Sequence, residues 1–370
     1  MPEQFTQWMQ QQVPVLLDDL HIPGVAIATI DNGETSFLGG FGMASKEPGR
    51  PVKTSTQFQL ASISKSVTSW GVMKLVEDGR LDLDAPVENY LKRWRLPPSE
   101  FDHSMVTARR LLSHTAGISL PGFKGYHPKY PEPSLEQILQ GDVPPLDEIQ
   151  IQYARDWNED PDFDRERVPV CVQYPPGEKS IYSGGGFTML ELLTEDISGL
   201  SFTDFMRQEI LVPLGMTSSS FAYAQNTHPD FATPYNEQGK ALPKYRLAAR
   251  AAGGLNSNIE DLARFACAEM TGPDGEPPGR GVISAESIAW LASPVMYSET
   301  IDGLDFHAAP GHFVFEINGA RCVHHTGGNI GWRTDYATLP EARAGICVLV
   351  NSSLGNDLWM SLLKTWSEHL

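Results

Sequence analysis

The chain has 370 residues, of which 41% are hydrophobic and 20% charged, and its formal net charge is −18. That length provides core for one large domain or two lobes, and the acidic balance argues against nucleic acid and anionic membrane surfaces as partners. No stretch approaches a membrane span. The first twenty residues lack the basic and apolar regions of a secretion signal, and the four cysteines are scattered without a CxxC pair and read as reduced, buried thiols. The expected compartment is the cytoplasm.

From the N-terminus, Phe5, Trp8, Met9, Val13, Leu16, Leu17 and Leu20 keep helical spacing, with Pro14 as an expected kink. Residues 24–42 hold two apolar runs around Asp31-Asn32-Gly33, a hairpin signal. From 58 a strand end runs into a helix with Val67, Trp70, Met73 and Val76 on its apolar face and Gly79 as its stop. Further helices are expected at 135–141, 184–199, 202–216 and 251–270, the last capped by Ser257 or Asn258. Residues 312–317, 334–339 and 345–353 read as strands, and a helix closes the chain. This order predicts an α/β (α+β) fold, an antiparallel sheet flanked by helices. Residues 1–80 and 250–370 would form the α/β lobe, and 81–249 an inserted, mainly helical lobe. The charge-dense segment 147–170 within it reads as a solvated surface excursion, or alternatively as a flap over a cleft.

The stretch FQLASISKSVTSW, residues 58–70, holds four serines and one lysine. Ser64 and Ser66 adjoin Lys65 and point elsewhere on a helix, whereas Ser62, three residues before Lys65, shares its face. A lysine stripped of water there can take a proton from a serine hydroxyl, and the helix N-terminus favours developing negative charge. Such a pair needs a proton shuttle and oxyanion donors. IYSGGGF places Tyr182 just before glycines at a helix start. HHTGGNIGW places His325 at the start of a strand, just before Gly327-Gly328, where an edge strand permits close backbone approach by a ligand. His324 and His325 are strand neighbours on opposite faces, so no metal pair is expected. His114 reads as a structural hydrogen-bonding residue and His307 and His312 as loop residues. Trp332 and Arg333 are candidates for pocket lining, or for packing and a surface ion pair. Tyr126 and Tyr130 lie in a Pro-rich loop. No G-x-S-x-G elbow of an α/β-hydrolase is present.

Taken together, Ser62-Ile63-Ser64-Lys65, Tyr182-Ser183-Gly184 and His325-Thr326-Gly327 resemble the motifs of the serine β-lactamase and penicillin-binding-protein superfamily. The branch that the chain resembles is the class C-like one of esterases, D-amino-acid peptidases and transesterases. The runs 75–91, 111–118, 174–187, 211–221 and 253–265 extend the resemblance over nearly the whole chain. It implies a β-lactamase/transpeptidase-like fold, with Ser62 as acylated nucleophile, Lys65 as its base, Tyr182 as the relay to the leaving group, and His325 where lactamases usually carry lysine. It also implies an oxyanion hole from the Ser62 and Gly328 amides and a substrate site with Gly184, Thr326, Gly327 and Trp332, without metal or organic cofactor. Gly184 replaces an amide side chain, and neutral His325 replaces a permanent cation. Both losses weaken the grip on a β-lactam, so small esters or D-configured amides are the expected substrates. An acyltransferase or transesterase, a weak β-lactamase, and a catalytically silent binding protein are the alternatives.

Overall fold

The computed structural model of the chain describes residues 3–120, 122–156, 167–223 and 228–370, with backbone only over 153–156. Its strands are β1 (Gly24–Asp31), β2 (Glu34–Ser45), β3 (Arg50–Pro51), β4 (Phe58–Gln59), β5 (Asn256–Ser257), β6 (Met296–Ile301), β7 (Leu304–Ala309), β8 (His312–Ile317), β9 (Ala320–Asn329), β10 (Trp332–Leu339) and β11 (Ala344–Val350). Nine form one antiparallel sheet in the order β3-β2-β1-β11-β10-β9-β8-β7-β6, while β4 and β5 pair separately. The sheet is therefore built from both ends of the sequence, as expected. The β1–β2 turn is Asn32-Gly33, both at positive φ (54° and 77°), which a two-residue hairpin of this twist requires.

β1 and β11 lie at the centre and are covered on both faces, so they read as continuous apolar runs. On one face Val25, Ile27, Ile346 and Val348 pack against Phe5, Met9, Val13 and Leu17 of helix Glu3–Asp19 and against Leu358, Leu362 and Trp366 of helix Gly355–Ser367. The N-terminal helix continues through Pro14. On the other face Ala26, Ala28, Cys347 and Leu349 join the larger core. There the helix Ile63–Glu77 is buried nearly all round, the signature of a central helix. Its small polar residues are satisfied: Ser66 donates to the Gly311 carbonyl (2.8 Å) and Thr68 to that of Ala251 (3.2 Å).

Several expectations need correction. The helix expected in the run 251–270 has Asn258, one of the two expected residues, as its cap, but the whole run is not one helix. It divides into helix Arg250–Gly253, β5, and helix Ile259–Ala268 capped by Asn258, because Gly254 approaches the Arg250 backbone too closely for a side chain and Leu255 turns away to meet Leu60. The 202–216 helix spans Phe202–Met206 and then widens into a π-type turn over Arg207–Leu211. The hairpin β6–β7, with Asp302-Gly303 as its turn, is an element that periodicity missed. His307 lies in β7 and His312 opens β8, so neither is a loop residue. The 147–170 segment begins with a docked helix, Glu148–Asp156. Ile149 packs on Leu242, Tyr245 and Ile330, and buried Gln150 donates to the Gly125 carbonyl, so this part is not a solvated excursion. Residues 157–166 lie outside the described residues. Cys322 and Cys347 are buried, Cys171 and Cys267 partly so, and all four are free thiols. Among the described residues no helix is long and apolar enough to cross a membrane, and no group of His, Cys, Asp and Glu could hold a metal ion.

Candidate active site

Ser62 sits between β4 and the central helix, in a turn held from three sides. Ala61 before it adopts a left-handed φ of 46°, costly for a residue with a side chain and retained only where the surroundings enforce it. The enforcement is visible. The Leu60 amide donates to the Leu255 carbonyl (2.8 Å), and the Leu60 carbonyl accepts from the Thr334 hydroxyl (2.8 Å). Ser64 donates to the Ala61 carbonyl (2.6 Å) and accepts from the Leu255 amide (2.9 Å), a structural role for the serine adjoining Lys65. Ser62 caps the helix, yet its hydroxyl makes no capping bond.

That hydroxyl instead accepts from Lys65 Nζ at 3.1 Å. Lys65 is only 1% exposed, and its second contact is the Ala252 carbonyl at 2.6 Å. Burial pushes the ammonium pKa down to about 7, because the charged form is poorly solvated there. The Ala252 carbonyl is itself fixed by residues that the sequence motifs do not reveal. Buried Glu191, in helix Gly184–Ser198, accepts from the Ala251 amide (2.8 Å) and faces the Arg250 guanidinium at 3.4 Å, while Arg250 also pairs with Glu132. No local pattern marks Glu191, since its partners lie about sixty residues away.

Tyr182 precedes the helix cap Ser183, whose hydroxyl accepts from the Gly186 amide (2.9 Å) and donates to the Ser119 carbonyl (2.8 Å). Its ring lies over Lys65 Nζ at 4.7 Å. Burial pushes the phenol above its ordinary value, and a hydrogen bond with Ser62 pulls the other way. His114, at φ 57°, holds this segment twice: Nδ1 accepts from the Ser183 amide (3.1 Å) and its carbonyl from the Ile181 amide (2.8 Å). Its ring lies 4.5 Å from that of Tyr182. Burial, helped by the Lys65 charge, lowers its pKa to about 3 and keeps it neutral. The structural role expected of His114 thus includes seating Tyr182.

His325 is the sixth residue of β9 and 1% exposed, rather than at a strand start. Nδ1 lies 2.6 Å from the Thr326 carbonyl and so carries the proton, while Nε2 is buried without a hydrogen-bond partner. Burial, reinforced by Lys65, holds the imidazole well below its usual pKa. Its ring lies 6.3 Å from that of Tyr182. β9 is an interior strand, but its pairing with β8 ends at His324, so 325–329 present an unpaired edge there. Gly327 passes so close to the Ser62 turn that a Cβ would lie 2.3 Å from both the Leu60 carbonyl oxygen and Thr334 Oγ1. Gly328 and Thr326 are exposed, and Gly184 is buried as the first residue of its helix. Trp332 is corrected: it is 1% exposed and packs edge-on against Phe58 and Phe231, so it belongs to the core rather than a substrate pocket. Arg333 is also buried, and it donates to the Trp332 and Asn329 carbonyls.

The structure thus brings Ser62, Lys65, Tyr182 and His325 together. A profile of the family described as Beta-lactamase matches residues 7–362. The chain belongs to the beta-lactamase family. This beta-lactamase-family chain is 26% identical to Penicillin-binding protein 4* of Bacillus subtilis over 96% of its own length and 73% of that protein. It is 25% identical to Protein flp of Staphylococcus aureus over 72% of its length, and spans half (50%) of that relative. Among solved structures, the octameric penicillin-binding protein homologue from Pyrococcus abyssi superposes with a TM-score of 0.73 at 26% identity, covering 94% of this chain and 74% of that one.

Proposed function

We propose that the chain is a serine hydrolase that forms an acyl-enzyme on Ser62 from small ester or amide substrates. The carrying observation is Lys65: its Nζ lies 3.1 Å from Ser62 Oγ and its pKa is lowered to about 7, so a neutral amine stands beside the hydroxyl near neutral pH. In acylation Ser62 Oγ attacks the substrate carbonyl carbon and its proton passes to Lys65 Nζ. The oxyanion rests on the Ser62 and Gly328 amides, a contribution of about 3–4 kcal/mol per donor. Lys65 returns that proton by way of Tyr182, which donates its own to the leaving oxygen or nitrogen as the bond to the carbonyl carbon breaks and is reprotonated by Lys65, so both groups end as they began. Water then repeats the sequence to release the acid.

Two features favour esters and small D-configured amides over β-lactams. His325 is neutral where a cation would hold a substrate carboxylate, and Gly184 offers no amide side chain. The four free thiols support a reducing compartment, the cytoplasm. Stopped-flow hydrolysis of p-nitrophenyl butyrate with intact mass at early times tests the reading. A burst and a butyryl adduct in wild type, both lost in Ser62→Ala, are expected. Turnover of this ester that survives unchanged in Ser62→Ala would overturn it.

A further inference from the structure

Behind the catalytic strand lies a cavity of about 380 Å³ between the β6–β7 hairpin, β9 and the first turn of helix Gly355–Ser367. We propose that this cavity is a subsite for a cationic group, an alkylammonium carried by the substrate. The inference rests on the serine-hydrolase reading, since it assigns that site a substrate class.

The cavity adjoins the serine centre. Thr326, the residue after His325, is exposed at its mouth. Phe313 forms a wall, and its ring also lies 5.5 Å from that of His325 and 6.1 Å from that of Tyr182. Phe313 is therefore a wall shared by the cavity and the reacting residues.

Its charge is one-sided. Glu299, Asp302 and Asp357 are exposed around the opening and Asp335 forms part of the floor, with no lysine or arginine in the lining. The nearby guanidinium of Arg333 is directed to the carbonyls of Trp332 and Asn329. Such a field repels carboxylates and concentrates cations.

The floor is unsatisfied. His324 and Asp335 are 5% and 2% exposed, yet His324 Nε2 and Asp335 Oδ1 stand 3.7 Å apart, too far for a hydrogen bond. Both atoms, and His324 Nδ1, are buried without a hydrogen-bond partner. Orphaned buried polar atoms call for an explanation, and a bound ion or ligand is one. An ammonium carries three N–H donors, enough to reach the Asp335 carboxylate oxygen and a ring nitrogen of His324. Burial pushes the Asp335 carboxyl above its usual range against the opposing pull of His324, Thr326 and Arg333, and a bound cation would add to that pull.

The walls suit the same ligand. Trp359 stacks on His324 at 5.6 Å and 12°, and Phe306 lies 5.9 Å from that imidazole. Aromatic faces attract cations while their edges accommodate an alkyl stem.

The test uses n-butylammonium chloride, titrated calorimetrically into wild type, Ser62→Ala and the double variant Asp302→Asn/Asp357→Asn, with n-butanol as the neutral control. In parallel, kcat/KM is compared for p-nitrophenyl 4-aminobutyrate and p-nitrophenyl butyrate. Expected are n-butylammonium binding about 10-fold tighter than n-butanol and retained in Ser62→Ala. A similar preference for the amino ester should collapse toward parity in the double variant. Butyrate ester hydrolysis with no n-butylammonium binding and no preference for the amino ester overturns the subsite and leaves the hydrolase reading intact. Asp-dependent n-butylammonium binding in a chain that hydrolyses neither ester upholds the subsite and overturns the hydrolase.

Discussion

Lys65 Nζ donates to the Ala252 carbonyl at 2.6 Å, closer than its 3.1 Å contact with Ser62 Oγ. A neutral amine that keeps one N–H on this carbonyl can turn its lone pair toward the serine, so in the proposed mechanism Ala252 orients the base as well as anchoring it. If Lys65 is the proposed base, its deprotonated form does the work, and kcat/KM should rise with pH through an apparent value near 7 and then level off. A pH–rate series on p-nitrophenyl butyrate reads this directly, and a rate that falls across that range contradicts the assignment.

The same lysine costs stability. Below pH 7 both folded and unfolded chains hold its proton, and the folded chain bears the full burial penalty. Between about 7 and the ordinary 10.5 only the unfolded chain is protonated, so the stability contribution of Lys65 rises with pH and levels off above that window. Lys65→Met should therefore be more stable than wild type at pH 6, with an advantage that shrinks by pH 10. Urea titrations at both values measure it, and an advantage independent of pH would refute the buried-base account.

Removing only the phenol oxygen, Tyr182→Phe, should leave the fold intact and reduce turnover by at least about 10²-fold, the worth of a positioned proton-transfer group. Steady-state rates with matched circular dichroism decide the matter. Near-normal turnover takes Tyr182 out of the relay.

His114→Ala removes the acceptor for the Ser183 amide and the ring beside Tyr182. As a positioning residue it should lower kcat by about 10²-fold, as for a catalytic group displaced by an ångström, with little change in KM. His114→Asn, whose side-chain oxygen can accept from the same amide, should recover part of the loss. Equal rates for the two variants would deny the positioning role.

Gly327→Ala places a methyl 2.3 Å from the Leu60 carbonyl oxygen and Thr334 Oγ1. Both are held in place, so β9 and the Ser62 turn must separate. The expected loss is about 1–3 kcal/mol of stability, with activity falling further than stability. Denaturation midpoints alongside kcat/KM test it, and wild-type values for both would refute the close approach.

Local signals made part of this molecule legible. Asn32-Gly33 announced its hairpin because only such residues take positive φ readily, and Ser62 was singled out by its helical spacing from Lys65. What escaped depends on contacts between distant segments. Glu191 fixes Ala251 across about sixty residues, and nothing near Glu191 says so. Trp332 opens β10, which is buried on both faces, so no alternation along it tells which face meets the core and which the cleft. The β6–β7 hairpin was missed despite Asp302-Gly303 because its first strand is mostly exposed and lacks an apolar period.

β11 inserts between β1 and β10, joining the first strand of the chain to the last ones. On the ribosome, a chain ending near residue 340 holds two partial sheets with no strand to join them. β1 must then wait, with one edge bare, for a partner more than three hundred residues later, a topology that folds slowly and exposes strand edges meanwhile. The Ser62 turn is synthesised early, but β9, which it rests against, comes late. During translation the hydrolytic machinery is thus held inactive until most of the polypeptide has emerged.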